Sequence, residues 1–271
     1  MGRKKHLKDL PKEELEYIDE KMKTSQKITA EYEDKNEYRT QLRMNNYKLF
    51  IKCKNQKQRT FLKHLLDINK KVNICNAPAG VGKSFLALYA GLECLKKGEV
   101  EKITIIVPTV EASEVCKIGL LPGSIDDKIE PYKIATISTI EKILRVSGNL
   151  DYKYYIQYLI NNKLIDFDLL SYARGRNYDN TFLILDEAEN LSKKECLLLM
   201  TRIGEGNSKI VLIGDEQQCD RKDLRKVEYS GLKYAEEKLA DLEEVTIDKF
   251  VNEDIVRNEF LTKLLNAWNQ E

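Results

Sequence analysis

At 271 residues the chain has room for one sizeable α/β core with an extension but little for two full domains. Its 45 basic and 44 acidic residues nearly cancel, so net charge singles out no partner and only a local cluster of cations can. Six irregularly spaced cysteines without a CxxC pair argue against a zinc ribbon or a small disulfide framework, and no long apolar run marks a membrane span or signal peptide, so a cytoplasmic protein with no membrane partner is expected.

In chain order, residues 1–46 are dense in Lys and Glu without a sustained apolar stripe, which predicts a charged extension, helical or disordered, outside the core. Across residues 47–271 apolar clusters alternate with helix-like stretches. That texture predicts an α/β fold with a mostly parallel sheet flanked by helices, and the motifs below narrow it to a P-loop core of the RecA-like kind. Strands are expected near residues 72–75, 103–107, 182–186, 210–213 and 245–247, and helices after Lys83, Ser192, Ser230 and Asp254. Between Lys128 and Arg176 the pattern is weak, and helices are expected only over residues 141–146 and 152–161.

The first strand runs into Ala77-Pro78-Ala79-Gly80-Val81-Gly82-Lys83-Ser84, the order of strand, glycine-bearing turn, Gly-Lys-Ser and helix that a P-loop requires. The candidate cradle for the triphosphate of ATP is therefore Ala79, Gly80, Val81, Gly82, Lys83 and Ser84. Gly80 and Gly82 let the chain curl around the phosphates without a Cβ in the way, and the helix N-terminus adds partial positive charge. Lys83 is expected between the β- and γ-phosphates and the Ser84 hydroxyl on Mg²⁺. Ala77 stands where the motif usually has its first glycine, which a small residue tolerates if its φ stays negative.

Farther on, Thr181 to Leu185 is an apolar stretch that delivers Asp186 and Glu187, the pattern of a Walker B strand. Asp186 is the candidate metal ligand and Glu187 the candidate general base toward the attacking water. Glu189 is expected in the first turn of the next helix, where its charge suits the dipole. The stretch from Lys209 to Gln218 is again a strand running into polar residues, and its Gly-Asp-x-x-Gln form resembles helicase motif III. That resemblance implies that Gln218 contacts the γ-phosphate or lytic water.

The ordered set Pro108-Thr109-Val110-Glu111-Ala112, Gly119 to Ser124, Asp127 to Tyr132, Tyr172-Ala173-Arg174-Gly175-Arg176, Thr201 to Gly204, Ser230-Gly231-Leu232 and Asp254 to Arg257 is similar to the PhoH family, whose motifs are related to superfamily 1 helicases. The resemblance spans roughly residues 55–265 and implies an Mg²⁺-dependent ATPase coupled to single-stranded RNA or DNA. Some relatives are fused to ribonuclease-type modules, but residues 1–46 are too few for one, so nuclease activity is not expected. Val107 replaces an arginine that the family places before the proline. Asn55-Gln56-Lys57 is similar to the adenine-reading segment of helicases, which makes Gln56 the candidate reader. The helicase-like precedent also points to an arginine opposite the phosphates, with Arg257 first and Arg202 second, while Arg174 and Arg176 suit phosphate or nucleic acid.

Helicase-like motors close their site with a second lobe for which this chain has no room, so a homo-oligomer, such as a ring, is expected to supply the missing wall. Nucleic acid is expected at Thr109 and along residues 172–176, with Tyr172 itself packed under the sheet. The alternative function is a nucleotide-dependent regulatory switch acting on a protein partner. A small-molecule kinase would share the P-loop but has no need of the Gly-Asp-x-x-Gln element.

Overall fold

The computed structural model describes residues 47–108, 125–219 and 230–256. The charged extension over residues 1–46, the segment from Thr109 to Ser124, the helix expected after Asp254 and Arg257 lie outside the described residues.

In chain order the elements are α1 (Gln56–Leu66), β1 (Val72–Asn76), α2 (Lys83–Lys96), β2 (Lys102–Val107), α3 (Ile125–Val146), α4 (Tyr152–Asn161), β3 (Ile165–Leu169), β4 (Thr181–Leu185), α5 (Lys193–Met200), β5 (Lys209–Gly214), α6 (Gly231–Leu239) and β6 (Val245–Lys249). The strands form one sheet in the order β3-β2-β4-β5-β1-β6, with every pairing parallel. The fold expected from the sequence, helices around a parallel sheet, is the fold observed.

Both faces of the sheet are covered, which is why its strands read as near-continuous apolar runs. On one face Ile74, Leu183, Leu185, Ile210 and Leu212 pack with Leu199 of α5 and Leu232 of α6. On the other, α2 crosses β2, β4 and β5 so closely that a Cβ on Gly91 would stand 3.2 Å from Ile103 and 3.3 Å from Phe182. Ser192 starts α5 with a capping box, its hydroxyl accepting from Glu195 N–H while the Glu195 carboxylate accepts from Ser192 N–H at 2.8 Å. Four of the five described cysteines are buried, as packed thiols should be. No helix among the described residues is long and apolar enough to cross a membrane.

Four elements differ from expectation, the first being α1, where no helix was expected. The β3 strand, Ile165-Asp166-Phe167-Asp168-Leu169, pairs only with β2 at the sheet edge, and its alternating aspartates hide it from a search for apolar runs. The helix expected over residues 141–146 is the last part of α3, which begins at Ile125 and contains Pro131. Pro131 is the seventh residue of α3, past the first turn, where a proline removes one i→i−4 hydrogen bond and its ring crowds the carbonyl four residues earlier, a cost the helix carries. Finally, the fourth strand stops at Leu185, one residue before Asp186.

Lys209 opens β5 as a fully buried lysine, 2% exposed. Its ammonium donates to the Leu65 carbonyl at 2.8 Å and the Asp67 carbonyl at 2.7 Å, closing the C-terminal end of α1, and it lies 5.9 Å from the Phe182 ring centre. Burial pushes its pKa down, so those two carbonyls are what hold the charge in place. Lys209→Ala leaves both carbonyls without this donor and opens a void; it is expected to lower stability by about 3 kcal/mol, measured as a fall in the urea midpoint at unchanged slope.

Candidate nucleotide site

The carboxyl ends of β1, β4 and β5 converge on a cleft of about 890 Å³. Its floor is the turn between β1 and α2. Gly80 has φ 91° and Gly82 φ 87°, both in the left-handed region, and a Cβ on Gly82 would stand 3.3 Å from Gln58 Nε2. Ala77 is not among the residues with positive φ, as its Cβ requires, and its N–H extends the β1–β5 ladder by donating to Gly214 O at 2.9 Å. Lys83 Nζ donates to Ala77 O at 2.9 Å across the turn.

Ser84 Oγ donates to Asp186 Oδ2 at 2.5 Å, which joins the first turn of α2 to the end of β4. Asp186 Oδ1 accepts from Glu187 N–H at 3.0 Å. Glu187 has φ 60° and ψ 37°, a left-handed conformation costing a non-glycine residue about 1–2 kcal/mol, and its side chain is exposed where it lines the cleft. Among the described residues no group of three or more His, Cys, Asp or Glu side chains is placed to hold a metal ion. The hydroxyl and carboxylate of Ser84 and Asp186 instead suit a hard cation that draws its remaining ligands from phosphate and water.

Glu189 corrects the sequence reading. It sits in the short turn Ala188–Asn190 before α5, is 5% exposed, lines the cleft, and accepts from the Asp215 N–H at 3.0 Å. Burial first, and then the charges of Asp186 and Glu187, push its carboxyl up to about 7 against the lowering effect of two backbone N–H groups. Asp215 in turn accepts from Gln218 Nε2 at 2.9 Å, so a chain of contacts runs from the end of β4 to Gln218, which also lines the cleft. Tyr132 of α3 packs on Val107 and Leu169 at the same edge, its phenol raised by burial and then by Glu187 and Asp186.

The expected adenine reader, Gln56, is exposed and lies outside the cleft, accepting from Arg59 Nη1 at 3.3 Å. Two residues on, Gln58 lines the cleft and is buried. Its Nε2 donates to Val81 O at 2.7 Å and its Oε1 accepts from Lys54 N–H at 2.7 Å. The signal was available: Asn55 caps α1 by accepting from Gln58 N–H at 2.8 Å, an Asn-x-x-Gln pattern that places the glutamine at the third helical position. Phe50, Thr139 and Lys142 also line the cleft and were not singled out by sequence.

The arginines separate. Val256, the neighbour of Arg257, lines the cleft and donates to Gly80 O at 3.2 Å, while Arg257 itself lies outside the described residues. Arg202 is not brought to the cleft: its carbonyl accepts from Tyr178 N–H just ahead of β4, at the opposite edge of the sheet. Arg176 is engaged with Asp168 at 2.8 Å. Tyr172, expected under the sheet, is 48% exposed, and Arg174 is exposed beside it in the segment that follows β3. No arginine is among the described residues that line the cleft.

The model of the family described as PhoH-like protein matches residues 50–269. A PhoH-like protein of Bacillus subtilis is 32% identical over 194 residues, covering 72% of this chain and 57% of its own length. A PhoH-like protein of Synechocystis is 30% identical over 220 residues, 81% of this chain and 62% of its own. Protein PhoH of Escherichia coli K12 is 30% identical over 221 residues, 81% of this chain and 58% of its own. The chain thus spans somewhat under two thirds of the length of these relatives. Among solved structures, Pif1 helicase from Candida albicans aligns at TM-score 0.39 and 15% identity, over 81% of this chain and 44% of that one.

Glu189 makes stability depend on pH in a stated direction. The folded carboxyl keeps its proton to about 7 and the unfolded one releases it near 4.5, so the fold loses stability as pH rises through that window. Glu189→Gln keeps an acceptor for Asp215 N–H and removes the loss. In metal-free buffer it is expected to match the parent chain within about 1 kcal/mol at pH 4.5 and to exceed it by roughly 2–3 kcal/mol at pH 8, read as a Tm gain of several degrees at the higher pH only.

Proposed function

The chain belongs to the PhoH-like protein family, and on that premise we propose that it is an Mg²⁺-dependent ATPase that couples hydrolysis to binding or remodelling of single-stranded nucleic acid, RNA or DNA. The observation that carries the reading is the contact of the Ser84 hydroxyl with Asp186 beside the glycine turn, with Glu187 one residue beyond.

In this reading the N–H groups of Ala79 to Ser84 and the Lys83 ammonium bind the triphosphate, and Ser84 and Asp186 hold the cation. Mg²⁺, when bound, neutralises charge that develops on the phosphoryl oxygens. Glu187 accepts a proton from the attacking water, and its unusual backbone turns the carboxylate from the strand end toward the cleft. Gln218 is held on Asp215, close enough to the same edge to respond to the γ-phosphate and pass the state to the segment around Arg174. Gln58 replaces Gln56 as the glutamine of the nucleotide site, acting through the backbone of Val81. The arginine for the transition state is assigned to Arg257 or to a neighbouring copy in a homo-oligomer, since the described lining holds lysines but no arginine. Exposed Tyr172 and Arg174 at the end of β3 favour a nucleic-acid track there, by stacking and phosphate contact.

Hydrolysis by the purified chain, measured with and without single-stranded RNA and DNA, tests this. Lys83→Ala is expected to cut turnover about 100-fold or more, and Glu187→Gln to cut kcat by about 10²–10⁴-fold with ATP still bound. Hydrolysis indifferent to either polymer would favour the nucleotide-dependent switch on a protein partner instead. Arg174→Ala should leave basal hydrolysis unchanged while weakening single-strand binding and reducing the slope of log affinity against log salt by about one charge, seen in fluorescence titrations at several salt concentrations.

A further inference from the structure

The glycine turn and the two acids account for the polar part of the cleft and leave its apolar lining unexplained. That lining includes Phe50, Val146 and Phe85, and two of these are conspicuously in water: Phe50 is 68% exposed and Val146 56%. The polar groups nearby are already engaged. The Gln58 carboxamide bridges Val81 O and Lys54 N–H, the Gln218 amide is on Asp215, and the Lys142 ammonium lies 5.8 Å from the Phe85 ring centre. What remains is an aromatic side chain at the mouth of a site whose ligand has a flat, heteroaromatic end.

Residues 48–50 belong to no helix or strand, yet they are fastened to the end of α3 by side chains that imitate a sheet ladder. Asn149 Oδ1 accepts from Lys48 N–H at 3.1 Å while Asn149 Nδ2 donates to Lys48 O at 2.8 Å. Ser147 Oγ accepts from Phe50 N–H at 2.9 Å and lies 3.0 Å from Phe50 O. Ser147 is itself buried, its hydroxyl 2.8 Å from Ile143 O, so the strap is anchored in the helix. A loop that only passed by would not need three such hydrogen bonds, with the single Ser147 hydroxyl proton shared between Phe50 O and Ile143 O; they fix the backbone that carries Phe50. The same face of α3 turns Thr139, Lys142 and Val146 toward the cleft at helical spacing.

We propose that Phe50 is the surface on which the purine ring of the nucleotide stacks, with Ser147 and Asn149 as the positioning residues that hold it over the cleft. The proposal deepens the ATPase reading and rests on it. Stacking needs no hydrogen-bond partner, so the base is held mainly through its π-face and selectivity between adenine and guanine is weak.

Calorimetric titration of the full chain with Mg²⁺ and either ATP, GTP or inorganic tripolyphosphate tests it, because tripolyphosphate lacks the base. Phe50→Ala is expected to weaken ATP and GTP about tenfold or more and to leave tripolyphosphate within about twofold, while Phe50→Trp restores both nucleotides. Ser147→Ala with Asn149→Ala should weaken ATP in the parent chain and add nothing on top of Phe50→Ala, a coupling that a merely structural role would not produce. Phe50 is exposed, so its replacement leaves the core intact, and unchanged Tm confirms that. ATP affinity untouched by Phe50→Ala, or tripolyphosphate lost in parallel with ATP, overturns the stacking alone. Failure of the parent chain to bind any of the three ligands overturns the P-loop reading with it.

Discussion

A single constraint organises the molecule: six strands pair in parallel, so every carboxyl end, and every segment that leaves one, faces the same edge. The β1–β5 ladder does not stop at the strands but continues through the Ala77–Gly214 hydrogen bond into the glycine turn. Gly214 is the tightest point of that junction. A Cβ there would stand 2.5 Å from Leu232 Cδ2, 2.7 Å from Glu189 Oε2 and 3.0 Å from Glu189 N, so the strand, the helix behind it and the acid-bearing turn can meet only at a residue without a side chain. The spacing of Ser84, Asp186, Asp215 and Gln218 follows from that junction rather than from the loops themselves.

Two costly local arrangements sit at this edge. Glu187 holds a left-handed backbone, and Glu189 is a carboxyl buried beside two other acids. Neither improves the fold, and both are sustained by a core in which Leu183, Leu185, Ile210 and Leu212 are fully shielded from water. At the opposite edge Lys163 and Asn180, just ahead of β3 and β4, also hold positive φ, of 52° and 45°, but there the buried Lys209, Ser208 and Thr181 have their polar atoms engaged by neighbouring backbone or side chains. Strain is thus shared between the edges, and what divides them is that one is closed by satisfied polar groups and the other opens into the cleft.

What could be read without a structure followed from this division. Strands covered on both faces announce themselves as apolar runs, and β1, β2, β4, β5 and β6 were legible for that reason. The edge strand β3 was not, because Asp166 and Asp168 break its pattern, and the burial of Asp168 beside Arg176 and Tyr178 is a tertiary fact. Residue type and spacing marked Lys83, Ser84, Asp186 and Glu187 as one site, and the cleft contains them all. They could not say which of two glutamines two residues apart faces inward. Phe50 was invisible because nothing local identifies an exposed phenylalanine; its place depends on Ser147 and Asn149, about a hundred residues away in sequence.

The buried ammonium at the start of β5 bears on how this molecule can move. Lys209 pins the last turn of α1, and in the same turn His64 Nδ1 meets Asp248 of β6 at 2.9 Å. At its other end the same helix is held by Gln58 on Val81, Asn55 Nδ2 on Asp254 O at 3.2 Å and Lys57 on the Asp254 carboxylate at 2.9 Å, and between the two ends Phe61 is buried against Phe250. A helix fastened at both ends behaves as a strut. It ties the glycine turn at Val81 to the segment after β6, so that the two can shift only together.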